Sequence, residues 1–162
     1  MDFLEKDLEQ IIFDADDETL HNRGLYLYGT KKRQLNIGNY GIADIVYFHR
    51  EREPMGNCFV VTIVELKQKQ INIGAFLQAI RYAKGIDRYL KKRKFSFYVK
   101  FEIVLIGRTV DKSSSFPYIF DFFRNDLNYG DATRVSGYTY DYDIDGISFT
   151  EVEDYELINE GF

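Results

Sequence analysis

Apolar residues at Leu4, Leu8, Ile11, Ile12 and Ala15 recur every three or four positions, the spacing of one helix face, and predict an amphipathic helix from Asp2 to Ala15. Asp2 followed by Glu5 resembles a capping box at its start, and Asp14-Ala15-Asp16-Asp17-Glu18 reads as the acidic turn that ends it. The period then shortens. Leu25 to Tyr28 and Arg33 to Ile37 read as short strands separated by Gly29-Thr30-Lys31-Lys32. A further strand runs from Gly41 to about His49, and Glu53-Pro54-Met55-Gly56-Asn57 is a turn or loop. Cys58 to about Lys67 is nearly continuous in apolar residues until its last positions, the pattern of a central strand covered on both faces.

Phe76, Ala79, Ile80, Ala83, Ile86 and Leu90 fall on one stripe, predicting a long helix from Gly74 to Lys92 with Asn72 as its cap. Val99 to Ile106 reads as a strand ended by Gly107. Ser115 to Asn125 reads as a short helix with Pro117 in its first turn. Tyr138 to Asp143 and Ile147 to Val152 flank Ile144-Asp145-Gly146, a hairpin signal. No repeat or Pro-rich linker interrupts the chain. The expectation is one α/β domain over residues 1–162, with a core over 1–107 and a C-terminal helix and hairpin extension over 108–162. Its architecture would be a small mixed sheet flanked by helices.

Composition narrows the class. A 162-residue chain with 17% aromatic residues can build a core and is not a low-complexity segment. The single Cys58 rules out an intrachain disulfide framework and fits a reducing compartment. The first residues show neither a basic n-region nor an apolar h-region, and no apolar run approaches the roughly 20 residues that span a bilayer. The expected location is therefore the cytoplasm, away from membrane. The net charge of -5 hides an asymmetry: Arg81, Lys84, Arg88, Lys91, Lys92, Arg93, Lys94 and Lys100 oppose only Asp87 between positions 81 and 100. From Asn125 onward, Arg134 is the only Lys or Arg among ten acids. A polyanion could approach the first segment and would be repelled by the last, although a solvated basic face would look the same.

The chemistry sits at the ends of two apolar runs. Asp44 interrupts Ile42-Ala43-Asp44-Ile45-Val46-Tyr47-Phe48, and Glu65 and Lys67 close the run that begins at Cys58. Burying charge there is costly unless the groups pair or hold a metal. Alternation along a strand projects Glu65 and Lys67 to one face. If their strand pairs with that of Asp44, two carboxylates converge, the usual protein share of a Mg²⁺ shell. A metal held there would activate water for phosphodiester hydrolysis. Lys67, beside carboxylates, suits stabilisation of developing negative charge better than proton abstraction. Gln78 and Tyr82, one turn apart, share a face beside the apolar stripe. Either contacts with substrate or a polar helix edge would explain them. His21, His49 and Cys58 share no zinc-like spacing, and no Gly-rich phosphate loop follows a strand.

With these motifs in order, the sequence resembles the PD-(D/E)xK nuclease superfamily, and within it the NucS-type endonuclease domain, over roughly Phe3 to Gly107. Glu5-Lys6-Asp7-Leu8-Glu9 looks like its first helix. Arg33-Gln34-Leu35-Asn36-Ile37-Gly38 with Tyr40-Gly41-Ile42-Ala43-Asp44-Ile45 is similar to its approach to the metal aspartate. Val64-Glu65-Leu66-Lys67 matches its catalytic strand, and Gly74-Ala75-Phe76-Leu77-Gln78-Ala79-Ile80-Arg81-Tyr82 its following helix. Ala43 stands where the signature has Pro. The resemblance implies a restriction-endonuclease-like fold and an endonuclease that uses Mg²⁺ or Mn²⁺ to cut DNA, leaving a 5′-phosphate and a 3′-hydroxyl. Asp44 and Glu65 would hold the metal, with Lys67, Gln78 and a first-helix glutamate completing the site.

Between the two glutamates, a helical wheel puts Glu5 nearer the apolar stripe than Glu9, which reads as a solvated residue. Glu5 has its own bland explanation in the capping box. Gln34, Tyr82, Lys91, Lys92, Arg93 and Lys94 are the expected nucleic-acid contacts, and RNA remains open as a substrate because nothing reads a 2′-hydroxyl. Nucleases of this fold often pair to cut both strands, so a homodimer is an expectation of the resemblance alone. The acidic segment with Tyr138, Tyr140, Tyr142 and Tyr155 keeps open a second reading, a weakly active or inactive module of this fold that binds nucleic acid or a protein.

Overall fold

The long apolar stripe and the apolar runs become one helix and a run of paired strands. A computed structural model describes residues 4–54, 56–123 and 133–153. The elements in order are α1 (Glu5–Asp14), α2 (Asp17–Asn22), β1 (Thr30–Asn36), a 3-10 turn (Gly38–Tyr40), β2 (Ile42–Glu53), β3 (Gly56–Leu66) and β4 (Gln70–Ile71). They continue with α3 (Ile73–Lys92), β5 (Tyr98–Gly107), β6 (Thr109–Val110), α4 (Phe116–Asp121), β7 (Arg134–Asp143) and β8 (Gly146–Glu151). Among the described residues the main sheet has six strands in the order β1-β2-β3-β5-β7-β8. β1, β2 and β3 pair antiparallel, β3-β5 and β5-β7 parallel, and β7-β8 antiparallel.

β3 is buried without a break from Val60 to Leu66, as its composition predicted, because each face meets a different core. Val61 and Ile63 pack with Ala79, Ala83 and Ile86 of α3. Val64 and Leu66 pack with Leu8 and Ile12 of α1 and Leu20 of α2. The predicted cap of α3 is present, with the Ala75 amide donating to Asn72 Oδ1 at 3.0 Å. At its other end Lys94 takes a left-handed φ of 55°, and the amides of Phe95 and Lys94 donate back to the carbonyls of Leu90 and Lys91. That is a Schellman stop built on a residue other than glycine. Among the described residues, no helix is long and apolar enough to cross a membrane.

Several expectations need correction. Leu25 to Tyr28 is not a strand. Its alternation is real, with Leu25 and Leu27 buried and Tyr26 and Tyr28 exposed, but among the described residues the segment has no ladder partner. The acidic turn is brief, because Asp16 caps a new helix, α2, by accepting from the Thr19 amide at 2.7 Å. β1 begins at Thr30, inside the expected turn. α1 begins at Glu5, and its first-turn box joins the Leu4 amide to Asp7 Oδ2; Asp2 lies outside the described residues. The C-terminal hairpin forms as predicted but is no appendage. β7 lies parallel to β5, Tyr138 and Tyr140 are core residues, and the Tyr140 hydroxyl donates to the Gln68 carbonyl just past Lys67. Of the tyrosines proposed as a contact surface only Tyr142 is exposed, and Tyr155 lies outside the described residues.

Candidate active site

Strand register builds the centre of the site. Ile45 stands opposite Val64, so one further step sets Asp44 opposite Glu65. On the other side, the pairs Arg33-Ile45 and Leu35-Ala43 set Gln34 opposite Asp44. Directly opposed residues of antiparallel strands share a face. Val46 and Phe48 of β2 and Val61 and Ile63 of β3 pack in the α3-side core, so Asp44 and Glu65 belong to that face too. Asp44 Oδ2 accepts from the Leu66 amide at 3.2 Å. Glu65 is 3% exposed. Its Oε1 lies 3.4 Å from Lys67 Nζ, while its buried Oε2 has no hydrogen-bond partner among the described residues.

Helix α3 supplies the next layer. Lys67 Nζ donates to Gln78 Oε1 at 3.3 Å, and Gln78 Nε2 donates to the Tyr82 hydroxyl at 2.6 Å. Tyr82 is held in turn by Gly41: a Cβ on that glycine, at φ 115°, would lie 2.9 Å from the Tyr82 ring. The four side chains form a line from the buried glutamate to the helix. Tyr82 was expected to touch substrate. It is instead a buried residue whose hydroxyl orients Gln78, because the helix wheel turns it toward Gly41 rather than solvent.

The electrostatics follow from burial. Loss of solvent, then repulsion from Asp44, pushes Glu65 up to about 8, with Lys67 opposing the rise. Burial likewise pushes Asp44 up to about 6; the Leu66 amide opposes this, and Glu9 and Glu5 add repulsion. Of these two acids in one poorly solvated place, Glu65 therefore keeps its proton at neutral pH unless a cation replaces it, and Asp44 keeps its own only in mildly acidic solution. Among the described residues no three His, Cys, Asp or Glu side chains gather as a metal cage. Two carboxylates, one with an unused buried oxygen, fit a hard cation that takes the rest of its shell from water and substrate oxygens.

The first-helix glutamates reverse their expected burial. Glu5 is exposed, and its Oε1 accepts from the Gln68 amide at 3.4 Å, just past Lys67. Glu9, expected to be solvated, is 4% exposed. Its Oε1 accepts from Arg33 Nε and its Oε2 from Gln34 Nε2 at 2.8 Å. β1 covers the side of α1 that a helix wheel leaves open, and no spacing rule joins those two elements. The one sequence trace was an acid adjacent to the deeply buried Leu8. Gln34, expected to meet nucleic acid, gives its amide to Glu9 and sits at a left-handed φ of 50° within a strand. Such a conformation costs about 1–3 kcal/mol and gathers at functional sites.

The basic cluster stands apart from the carboxylates. Lys91, Lys92, Arg93 and Lys94 are exposed at the far end of α3. Thirteen helical residues separate Gln78 from Lys91, about 20 Å of axis. Lys91 pairs with Asp87 at 2.9 Å, and the Arg93 guanidinium lies 4.9 Å from the Tyr89 ring centre. As the expected backbone contacts, these four cations would meet nucleic acid well away from Gln78. No protein-family model, curated protein or solved structure matches this chain.

Proposed function

We propose that this protein is a metal-dependent endonuclease that hydrolyses DNA phosphodiester bonds, on a restriction-endonuclease-like version of the α/β sandwich. The observation that carries the reading is the unpartnered, buried Glu65 Oε2 beside Asp44. An apolar strand end has no structural use for an orphan carboxylate oxygen, and its desolvation destabilises the fold. Asp44 and Glu65 would hold Mg²⁺ or Mn²⁺, which when bound would make water more acidic and polarise a phosphoryl oxygen. Lys67 places positive charge where the phosphate gathers negative charge as the bond breaks. Gln78, oriented by Tyr82, fixes the Lys67 amine. Arg33 and Gln34 clamp Glu9, which keeps α1 against the sheet edge beside Asp44.

The test compares wild-type protein with the Asp44→Ala/Glu65→Ala double variant on single-stranded, duplex and branched DNA and on RNA, with Mg²⁺, Mn²⁺ or EDTA. Metal-dependent cutting that the variant lacks supports the reading. Equal cutting by both proteins refutes the site. Binding without cutting by either assigns the chain to a non-catalytic module, the reading that the roughly 20 Å of helix axis between Gln78 and Lys91 favours.

A further inference from the structure

Gln78 and Tyr82 begin a stripe that runs on through Gly85, Tyr89 and Lys92, because steps of three and four residues return to one helix face. Beyond Tyr82 that stripe borders an open groove of about 670 Å³ between α3 and the 3-10 turn. Gly85 lets the two elements approach: a Cβ there would meet Ile37 and Tyr40 side-chain atoms at 2.5 and 2.7 Å. The groove walls are largely apolar, with Tyr40 and Tyr89 offering aromatic rings, and Arg88 and Lys92 also line it. Tyr89 is 56% exposed even with Arg93 over its ring. Aromatic walls beside fixed cations suit one chemistry well: flat bases that stack and a phosphate backbone that pairs with Arg and Lys. An intact duplex hides its bases and would leave the apolar walls wet.

We infer that this groove holds unpaired nucleotides of a nucleic-acid strand, stacked against Tyr89 and Tyr40, with the backbone on Arg88 and Lys92. The inference rests on the nuclease reading for what lies at the other end of the stripe. Tyr89 is eleven residues from Gln78, about 16 Å along the helix. The groove therefore grips the strand roughly five stacked nucleotides from Gln78, at about 3.4 Å each. This gives the basic end of α3 a purpose that its distance from Asp44 otherwise denies it.

The experiment measures binding in EDTA, where no cutting is expected, by fluorescence anisotropy of a labelled single strand and of the matching duplex. Wild type should prefer the single strand. Tyr89→Ala should weaken single-strand binding roughly 5- to 100-fold, the usual cost of one lost base-aromatic stack, and change duplex binding less than about twofold. Tyr89→Phe, which keeps the ring, should bind as wild type does, and melting curves of each variant confirm folding. Arg88→Ala/Lys92→Ala should lessen the salt dependence for the single strand, whereas Tyr89→Ala should not. Equal affinity for strand and duplex, or an unchanged Tyr89→Ala, overturns the inference. So does an acidic amphipathic peptide that occupies the groove when single strands do not. If single strands bind through Tyr89 but are never cut with Mg²⁺ or Mn²⁺, the groove stands and the nuclease reading falls. If they are cut and Tyr89→Ala leaves KM unchanged, the nuclease reading stands and the groove falls.

Discussion

Replacing Glu65 with Gln should make the metal-free protein more stable above neutral pH, because the wild-type site must lose a proton that its surroundings favour keeping. Glu65 stands at about 8 against an ordinary 4.5, raised first by burial and then by Asp44. The folded chain therefore binds a proton that the unfolded chain has already released between those two values. Stability must fall as pH rises through that window, and level off above about 8. At 1.36 kcal/mol per tenfold change in proton affinity, the ceiling is about 5 kcal/mol. Part of that belongs jointly to Asp44, so a penalty of about 2–3 kcal/mol is the useful figure. Gln carries no charge to desolvate, and its amide can face Asp44 in place of the unpartnered oxygen. For a domain of this size the difference amounts to roughly 5–10 °C in Tm.

The assay is a melt in EDTA near pH 5 and near pH 8. Wild type and Glu65→Gln should melt together at the lower pH, and the variant should melt higher at the upper one. Saturating Mn²⁺ should then raise the wild-type Tm near pH 8 and leave the variant unmoved. A variant less stable than wild type near pH 8, or a wild type equally stable at both, refutes the argument that this carboxylate is stored strain awaiting a cation.

Other side chains give separate tests. Lys67→Met should cut cleavage by about 10²–10³-fold in single-turnover assays while leaving the Mn²⁺-induced rise in Tm intact, since the proposed role of the lysine is toward developing charge and not toward the metal. Glu9→Ala should cost about 1–2 kcal/mol in urea denaturation, because it removes the buried carboxylate that Arg33 and Gln34 share, although Arg33 keeps Gln10; Glu5→Ala, at an exposed position, should stay within about 0.5 kcal/mol. Equal effects would return Glu9 to the solvated role its helix position first suggested. Lys94→Gly should be neutral or stabilising by up to about 1 kcal/mol, since glycine takes φ 55° without strain; a loss would mean the Lys94 side chain makes contacts worth more than the strain.

What was legible in the chain depended on how far apart the interacting residues were. α3 and β3 could be read because each carries its own periodicity, and Asn72 could be read because a cap acts within three residues. The opposition of Asp44 and Glu65 follows almost as directly: two apolar runs joined by a short turn pair antiparallel, and pairing them in register puts the acids across from one another. β7 was harder. Its hairpin with β8 is local and was visible, but its parallel bond to β5 spans the chain across α4, and nothing in Tyr138 or Tyr140 distinguishes a core tyrosine from an exposed one.

The glutamates mark the same boundary from the functional side. A helix wheel ranks Glu5 and Glu9 by their angle to α1's own apolar stripe, which settles which face meets the first packing partner and says nothing about a second. β1 is that second partner, and it arrives with Arg33 and Gln34 already aimed at Glu9. Gln34 accepts a left-handed backbone to make the contact, at a register position directly across from Asp44. The strain, the buried acid and the orphan oxygen of Glu65 thus lie on adjoining strands and the helix that crosses their end. Each is costly alone; the bonds from Arg33 and Gln34 satisfy the Glu9 charge and give the Gln34 backbone a structural use. For Glu65 Oε2 no partner among the described residues offsets the cost, and the proposed cation with its phosphate would complete the row.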